Sequence, residues 1–287
     1  MTHEPKRYSF QDYPEAFKQL HRPPEAIYCR GPWIDTSQVF LTVVGSREPT
    51  RYGIDCCKKI ISGLAGSGIT IVSGMARGID SVAHQAALEA GLPTIAFPGS
   101  GVNDNVLYPK RGLKLAYEIL EAGGSVISPF DPDKASLPWM FPFRNHLMAA
   151  LSKITLVIES AQKSGTLITA YAALEYGRTI AAIPGPISSS LSVGTNTLIR
   201  NGAQLVQSSN DILELLGLEQ AESHQLDLSL DLASDEQTIM HKLRAEPCTF
   251  DQLCHHTGKD PEKLLVILSN LEAQGLIDGV GGVFRKR

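Results

Sequence analysis

Ile154-Thr155-Leu156-Val157-Ile158, and then Ser164-Gly165-Thr166-Leu167-Ile168-Thr169-Ala170, decide how this chain of 287 residues folds. The first run is short, apolar and rich in β-branched residues, the pattern of a buried strand. The second is a turn of serine, glycine and threonine that opens an amphipathic segment. A strand delivering such a turn to a helix N-terminus aims unpaired backbone N–H groups and the positive end of the helix dipole at whatever lies above. The pair predicts an anion site, with phosphate as its natural occupant.

The same unit recurs on either side. Strands are expected at Val39–Val44, Ile69–Val72, Thr94–Phe97, Ser125–Ser128, Ile154–Glu159, Thr179–Ile183 and Gln204–Gln207. Between them lie helical patterns such as Tyr52–Ala65, with Ile54, Cys57, Ile61 and Leu64 in register, and Ile79–Ala90. Strands apolar on both faces, bridged by helices, belong to a parallel sheet covered on both sides. The expected fold is therefore α/β, an extended Rossmann-like parallel sheet of about seven strands. Ligands of such sheets sit beyond the carboxyl ends of the strands.

Four loops converge on that edge: Gly45-Ser46-Arg47, Ser73-Gly74-Met75-Ala76-Arg77-Gly78-Ile79-Asp80, Pro98-Gly99-Ser100-Gly101 and the Ser164 turn. Glycines admit close backbone approach, while Ser46, Arg47, Arg77, Ser164 and Thr166 supply donors for phosphate oxygens. Lys110, Arg111, Arg144 and Lys163 fall in later loops on the same edge. Any one glycine turn is ordinary; four together, two with an adjoining arginine, predict an anion-binding rim. Arg77 has a second reading as a structural cation paired with Asp80 or Glu48. No Gly-x-Gly-x-x-Gly and no Gly-x-x-x-x-Gly-Lys-Ser/Thr occurs, which disfavours dinucleotide and nucleoside triphosphate cofactors. Neither a cofactor nor a metal is expected.

Charge agrees with a local rather than a global anion site. The formal net charge is −4, yet Glu219 to Glu236 holds six acids and no cation. Residues 1–218 carry 19 Lys and Arg against 18 Asp and Glu, and residues 237–287 carry 7 against 6. A polyanion must be gripped by a cluster of cations and oriented dipoles, not by a basic surface. No apolar run is long enough to span a membrane, the first residues lack a signal-peptide core, and five cysteines, two of them adjacent, read as reduced thiols; a cytoplasmic protein without membrane partners is expected.

Together with Tyr108-Pro109, Phe143-Arg144-Asn145 and Ile183-Pro184-Gly185, these motifs resemble the DNA-processing family DprA, or Smf, over about residues 20–217. The resemblance implies single-stranded DNA binding, a homodimer, protection of incoming strands in natural transformation, and delivery to the RecA recombinase. It carries over a DNA-binding set of Ser46, Arg47, Gly74, Arg77, Lys110, Phe143, Arg144, Asn145, Lys163, Ser164, Gly165, Thr166 and Thr169. Physically the set suits a single strand, which needs gripped phosphates and a flat group for an unpaired base. Phe143 is the expected stacking ring, in a loop before a helix Arg144–Leu151; Trp139 and Phe141 are expected as an apolar plug. His146 stands where relatives often carry arginine, and with only some 38 residues before the first expected strand the relatives' N-terminal helical (SAM-like) domain is not expected here.

Four segments follow: an extended lead-in over 1–38 packed on the sheet, the Rossmann-like domain over 39–218, an acidic linker over 219–235, and a winged-helix-like domain over 236–287. In the last, Leu264, Ile267, Leu268 and Leu271 form one apolar stripe and a glycine turn joins two short strands. Cations are sparse there, which favours a protein-contact or regulatory role over duplex binding. Two rivals remain at this point. One is an enzyme related to phosphoribohydrolases, whose Pro-Gly-Gly-x-Gly-Thr-x-x-Glu turn ends in a carboxylate where this chain has Thr169. The other is a nucleotide-sensing winged-helix regulator.

Overall fold

The computed structural model describes residues 4–218, 234–273, 276–280 and 282–286. They form two compact units that divide between Ala221 and Glu222. The acidic stretch 219–235 lies outside the described residues except for Ser234 and Asp235, which open a helix.

The larger unit is built on a sheet of nine strands. Its parallel part holds β3 (Val39–Val44), β4 (Ile69–Gly74), β5 (Thr94–Phe97), β6 (Ser125–Ser128), β7 (Ile154–Val157), β8 (Thr179–Ala182) and β9 (Gln204–Leu205). The seven expected strands are thus present. Two more, β1 (Lys6–Tyr8) and β2 (Ile27–Arg30), precede them and give the order β1-β2-β6-β5-β4-β3-β7-β8-β9. The lead-in does not merely pack on the sheet: β2 pairs antiparallel with β6, Tyr28 opposite Ser128, and β1 pairs with β2. Strand β3 is central, flanked by β4 in the register Leu41↔Ile71 and by β7 in the register Leu41↔Ile154. Winding proceeds outward from β3 one way to β6 and then restarts at β7 the other way. That switch point is where open α/β sheets leave a crevice.

Helices cover both faces. One face carries α2 (Arg51–Ser62), α3 (Ile79–Glu89) and α8 (Ser209–Leu216), whose Cys57, Ile60, Ile61, Ala83 and Ile212 meet Leu41, Val43, Ile69 and Ile71. The other carries α5 (Met140–Leu151), α6 (Gly165–Glu175) and α7 (Val193–Arg200), with Leu147, Met148, Ala170 and Leu198 against Val44, Val72 and Val157. A short α1 (Glu15–Lys18) adds Phe17 to that layer, and α4 (Leu113–Glu121) closes the β5–β6 end through Leu115, Ile119 and Leu120. Burying this apolar surface is the main stabilising contribution, about 25 cal/mol for each Å² withdrawn from water. A single buried hydroxyl on β3 is satisfied across the layers: Thr42 Oγ1 donates to the Met148 carbonyl at 2.9 Å and sits 2.7 Å from Ser152 Oγ.

The smaller unit contains α9 (Ser234–Ala245), β10 (Cys248–Thr249), α10 (Phe250–Thr257), α11 (Pro261–Ala273), β11 (Ile277–Val280) and β12 (Val283–Lys286), with strand order β10-β12-β11. Thr249 caps α10 through a reciprocal pair with Gln252, 2.8 and 3.3 Å. Ile239, Leu243, Leu253, Leu264, Leu268 and Leu271 make its core, and the β11–β12 hairpin forms the wing. This is a winged helix. Among the described residues, no helix of either unit is long and apolar enough to cross a membrane.

Candidate nucleic-acid interface

The crevice at the switch point opens into a cavity of about 1120 Å³. Its wall is assembled from chain segments far apart in sequence: the loops after β3, β4 and β7, and the start of α5. Ser46, Arg47, Arg77, Arg144, Asn145, Lys163, Ser164, Gly165, Thr166 and Thr169 all line it. Gly74, Lys110 and Phe143 do not.

Local chemistry explains how the lining is held. Ser164 is the N-cap of α6, its Oγ accepting from the Thr166 N–H at 3.2 Å, so the first turn of the helix opens at the cavity wall. Thr166 Oγ1 then donates to the Gly45 carbonyl at 3.0 Å and ties the β7 loop to the β3 loop. On the opposite side the Ile79 N–H donates to the Ser46 carbonyl at 3.1 Å, and Gly78 packs so tightly on Ser46 and Arg47 that an added methyl would collide with both. Gly78 also has φ of +85°, a conformation side chains resist. The Ser46–Arg47 turn is thereby wedged in place.

Charges on the rim and on the floor behave differently. Arg47 is exposed and lies over the Phe141 ring, 5.4 Å from its centroid. Lys163 is also exposed. Arg77, likewise exposed, forms an ion pair with Glu48, which matches its structural reading and leaves it partly neutralised. Arg144 is instead only 3 % exposed: its Nη1 donates to the Phe97 carbonyl, while its Nε has no hydrogen-bond partner among the described residues. Beside it, from the first turn of α3, stands Asp80, also buried. A methyl on Gly74 would strike both Arg144 Nη1 and Asp80 Oδ2, so Gly74 acts as the seat of this pair rather than as a wall. Burial raises the Asp80 carboxyl to about 6, against the opposing pull of Arg144 and Arg47, and burial lowers the Arg144 guanidinium to about 10. His84, one turn along α3, is held by Thr94 Oγ1 at 2.7 Å and the Gly74 carbonyl at 2.9 Å, and burial depresses it to about 4, so it is neutral at pH 7.

Several residues differ in position from expectation. Helix α5 begins at Met140, not Arg144, so Phe143 lies on a helix and not in a loop. Its ring is half-buried against Phe130, centroids 5.8 Å apart, on the core side. The aromatic groups that reach the cavity are Phe141, expected as a plug, and Tyr108, tilted edge-on to it at 5.9 Å. Tyr108 was present in the motif Tyr108-Pro109, but nothing in its spacing predicts that it meets Phe141. Lys110 sits in an exposed single turn away from the lining. Thr169 lines the cavity from a buried position on α6, at 1 % exposure. His146 turns from the cavity to Tyr176 Oη at 2.9 Å and Glu175 at 3.8 Å. Glu159 is committed elsewhere: its carboxylate accepts from the Thr50 N–H at 2.9 Å and Thr50 Oγ1 at 2.5 Å, closing the N-terminus of α2.

Comparison with known proteins adds an independent line. The profile of DNA recombination-mediator protein A matches residues 7–217, and that of the DprA winged helix domain matches residues 223–282. Protein Smf of Escherichia coli strain K12 is 38 % identical over 272 residues, covering 92 % of this chain and 72 % of that protein. The DNA processing protein DprA of Streptococcus pneumoniae is 38 % identical over 201 residues, 70 % of each chain. Its X-ray structure superposes with a TM-score of 0.68 at 37 % identity over 73 % of both chains. DNA processing protein A from Helicobacter pylori, a structure that describes a single-stranded DNA binding mode, superposes with a TM-score of 0.65 at 28 % identity, covering 74 % of this chain and 95 % of that one.

Proposed function

Because this chain belongs to the DprA/Smf family of DNA-processing proteins, we propose that its cavity holds single-stranded DNA, and that the protein shields incoming strands and loads RecA recombinase onto them during natural transformation and recombination. The observation that carries this reading is the meeting of three loop backbones, the α6 N-terminus, Arg47, Lys163 and the Tyr108–Phe141 edge in one cavity. Phosphates are gripped by the donors and cations, and an unpaired base stacks on the aromatic edge. Double-stranded DNA lacks free base faces and gains only the phosphate contacts.

The carboxylates support a non-enzymatic role. Thr169 stands where a phosphoribohydrolase turn would present glutamate, Glu159 is spent on the α2 cap, and Asp80 is buried against two guanidinium groups. Glu48, which also lines the cavity, is paired with Arg77, so none of these four is an uncommitted base beside a reacting sugar. On α6, Ile168, Tyr171 and Leu174 repeat on one face at 40, 48 and 58 % exposure, an apolar stripe suited to the contact of a homodimer. The protein acts in the cytoplasm, without ATP or metal.

Gel shifts with single- and double-stranded oligonucleotides, with and without RecA, test the proposal. Preference for the single strand and a ternary complex with RecA are expected; equal affinity for duplex, or release of free base from a nucleoside monophosphate, refutes it.

A further inference from the structure

The floor of the cavity holds a buried acid directly beneath the place where, on the reading above, a permanently anionic phosphate enters. Asp80 lines the cavity at 7 % exposure and shares its seat on Gly74 with Arg144. The Nε–H of Arg144 is buried and has no acceptor among the described residues. A buried donor without a partner is costly, and an oxygen brought by a ligand removes that cost. Yet the ligand's negative charge and the Asp80 carboxylate then compete for the same guanidinium, and two anions sharing one cation in a dry site do not both stay ionised. The phosphodiester does not titrate near neutrality. The carboxyl does.

We propose that Asp80 is a proton-accepting positioning residue: entry of a DNA phosphate over Arg144 and Arg47 transfers a proton from solvent to the Asp80 carboxylate, so that occupancy of the cavity is linked to pH. Free Asp80 neutralises Arg144 and keeps it seated; protonated Asp80 releases the full charge of Arg144 to the strand. The other groups facing Asp80 are accounted for. Arg47 and Arg144 both pull the Asp80 carboxyl down, Arg144 lies at about 10, Cys57 on α2 is pushed up to about 12 and stays a thiol, and His84, at about 4, is neutral. Burial already holds Asp80 at about 6, so a modest added field carries it through neutrality. If occupancy raises it by about one unit, affinity gains up to about tenfold as pH falls through its range.

The test uses the full chain and labelled oligo-thymidylate, whose bases do not titrate in the acid range. Anisotropy at constant salt from about pH 8 to about pH 5.5 is expected to show affinity rising several-fold in the wild type and in His146→Gln, and to show a flat profile in Asp80→Asn. Calorimetry of the wild type near pH 6.5, in two buffers of different ionisation heat, is expected to count a fraction of a proton taken up per site. This count stands even if Asp80→Asn does not fold, and its persistence in His146→Gln keeps the assignment away from that imidazole. Binding without proton uptake, or a pH slope that survives Asp80→Asn, overturns the inference and leaves single-strand binding intact. No binding at any pH overturns both.

Discussion

Arg47→Ala separates binding from stability more cleanly than any other change in the cavity. Arg47 is exposed, its backbone wedged by Gly78 at the rim; its guanidinium lies over the Phe141 ring at 5.4 Å and acts on Asp80 through its charge. An exposed cation–π contact is worth about 0.5–1 kcal/mol, which in a domain of this size moves Tm by about 2–4 °C at most. A charge-assisted bond to phosphate is worth about 1.5–3 kcal/mol, or a factor of about 10–150 in Kd. Losing one phosphate contact also flattens the log–log salt dependence by about 0.7. Fluorescence anisotropy of a labelled oligo-thymidylate across a salt series, beside thermal unfolding of the same samples, measures all three quantities. Arg47→Lys is expected to fall between, since it keeps the charge and loses the planar fork. A Kd within twofold of wild type, or an unchanged salt slope, refutes the placement of a phosphate at Arg47.

Three further outcomes are expected. Glu159→Ala strands the Thr50 N–H and removes the anion from the α2 N-terminus, costing about 2–4 kcal/mol in urea unfolding while leaving oligonucleotide affinity per folded molecule unchanged; loss of affinity without loss of stability contradicts its role as a cap. Gly78→Ala forces a side chain into φ of +85° and against the Ser46 carbonyl, so it is expected to destabilise by at least about 1–3 kcal/mol and to weaken binding by displacing Arg47; a stable variant with normal affinity shows the turn to be soft. Asp80 and His84 oppose each other in acid. Asp80 is raised from 3.8 to about 6, so its contribution to stability is present below 3.8 and lost as pH rises toward 6; His84 is lowered from 6.5 to about 4, so its contribution is present above 6.5 and lost as pH falls toward 4. Wild-type Tm is therefore nearly level between these limits as far as this pair is concerned, and Asp80→Asn is expected to steepen the loss of Tm below pH 6; an unchanged profile rejects the pairing.

Much of the scaffold is legible in the sequence because it is locally encoded. Val39–Val44, Thr94–Phe97 and Ser125–Ser128 are bounded by turn residues and built almost entirely of apolar or small hydroxyl side chains, so their limits coincide with the strands observed. Lys6–Tyr8 and Ile27–Arg30 carry no comparable signal: they are short, partly polar, and stabilised by antiparallel pairing at a sheet edge whose partner is remote in sequence. Pro138 and Pro142 suggest a loop, yet a proline in the first helical turn loses no hydrogen bond, and α5 begins at Met140. That shift of one turn exchanges the roles of Phe141 and Phe143. Arg144 reads as a rim cation because its neighbours in sequence do not reveal the Phe97 carbonyl or Asp80, which arrive from β5 and α3.

The hydrogen bond from Thr166 to the Gly45 carbonyl joins residues 121 apart in the chain, and it crosses the line along which β3 meets β7. Each flank of that line can be wound from local units, but their union requires the longer and slower closure of the intervening chain. The recognition surface thus does not exist in either flank alone. During refolding, capture of an oligonucleotide is expected to report the completion of that closure and to lag behind the recovery of helical signal.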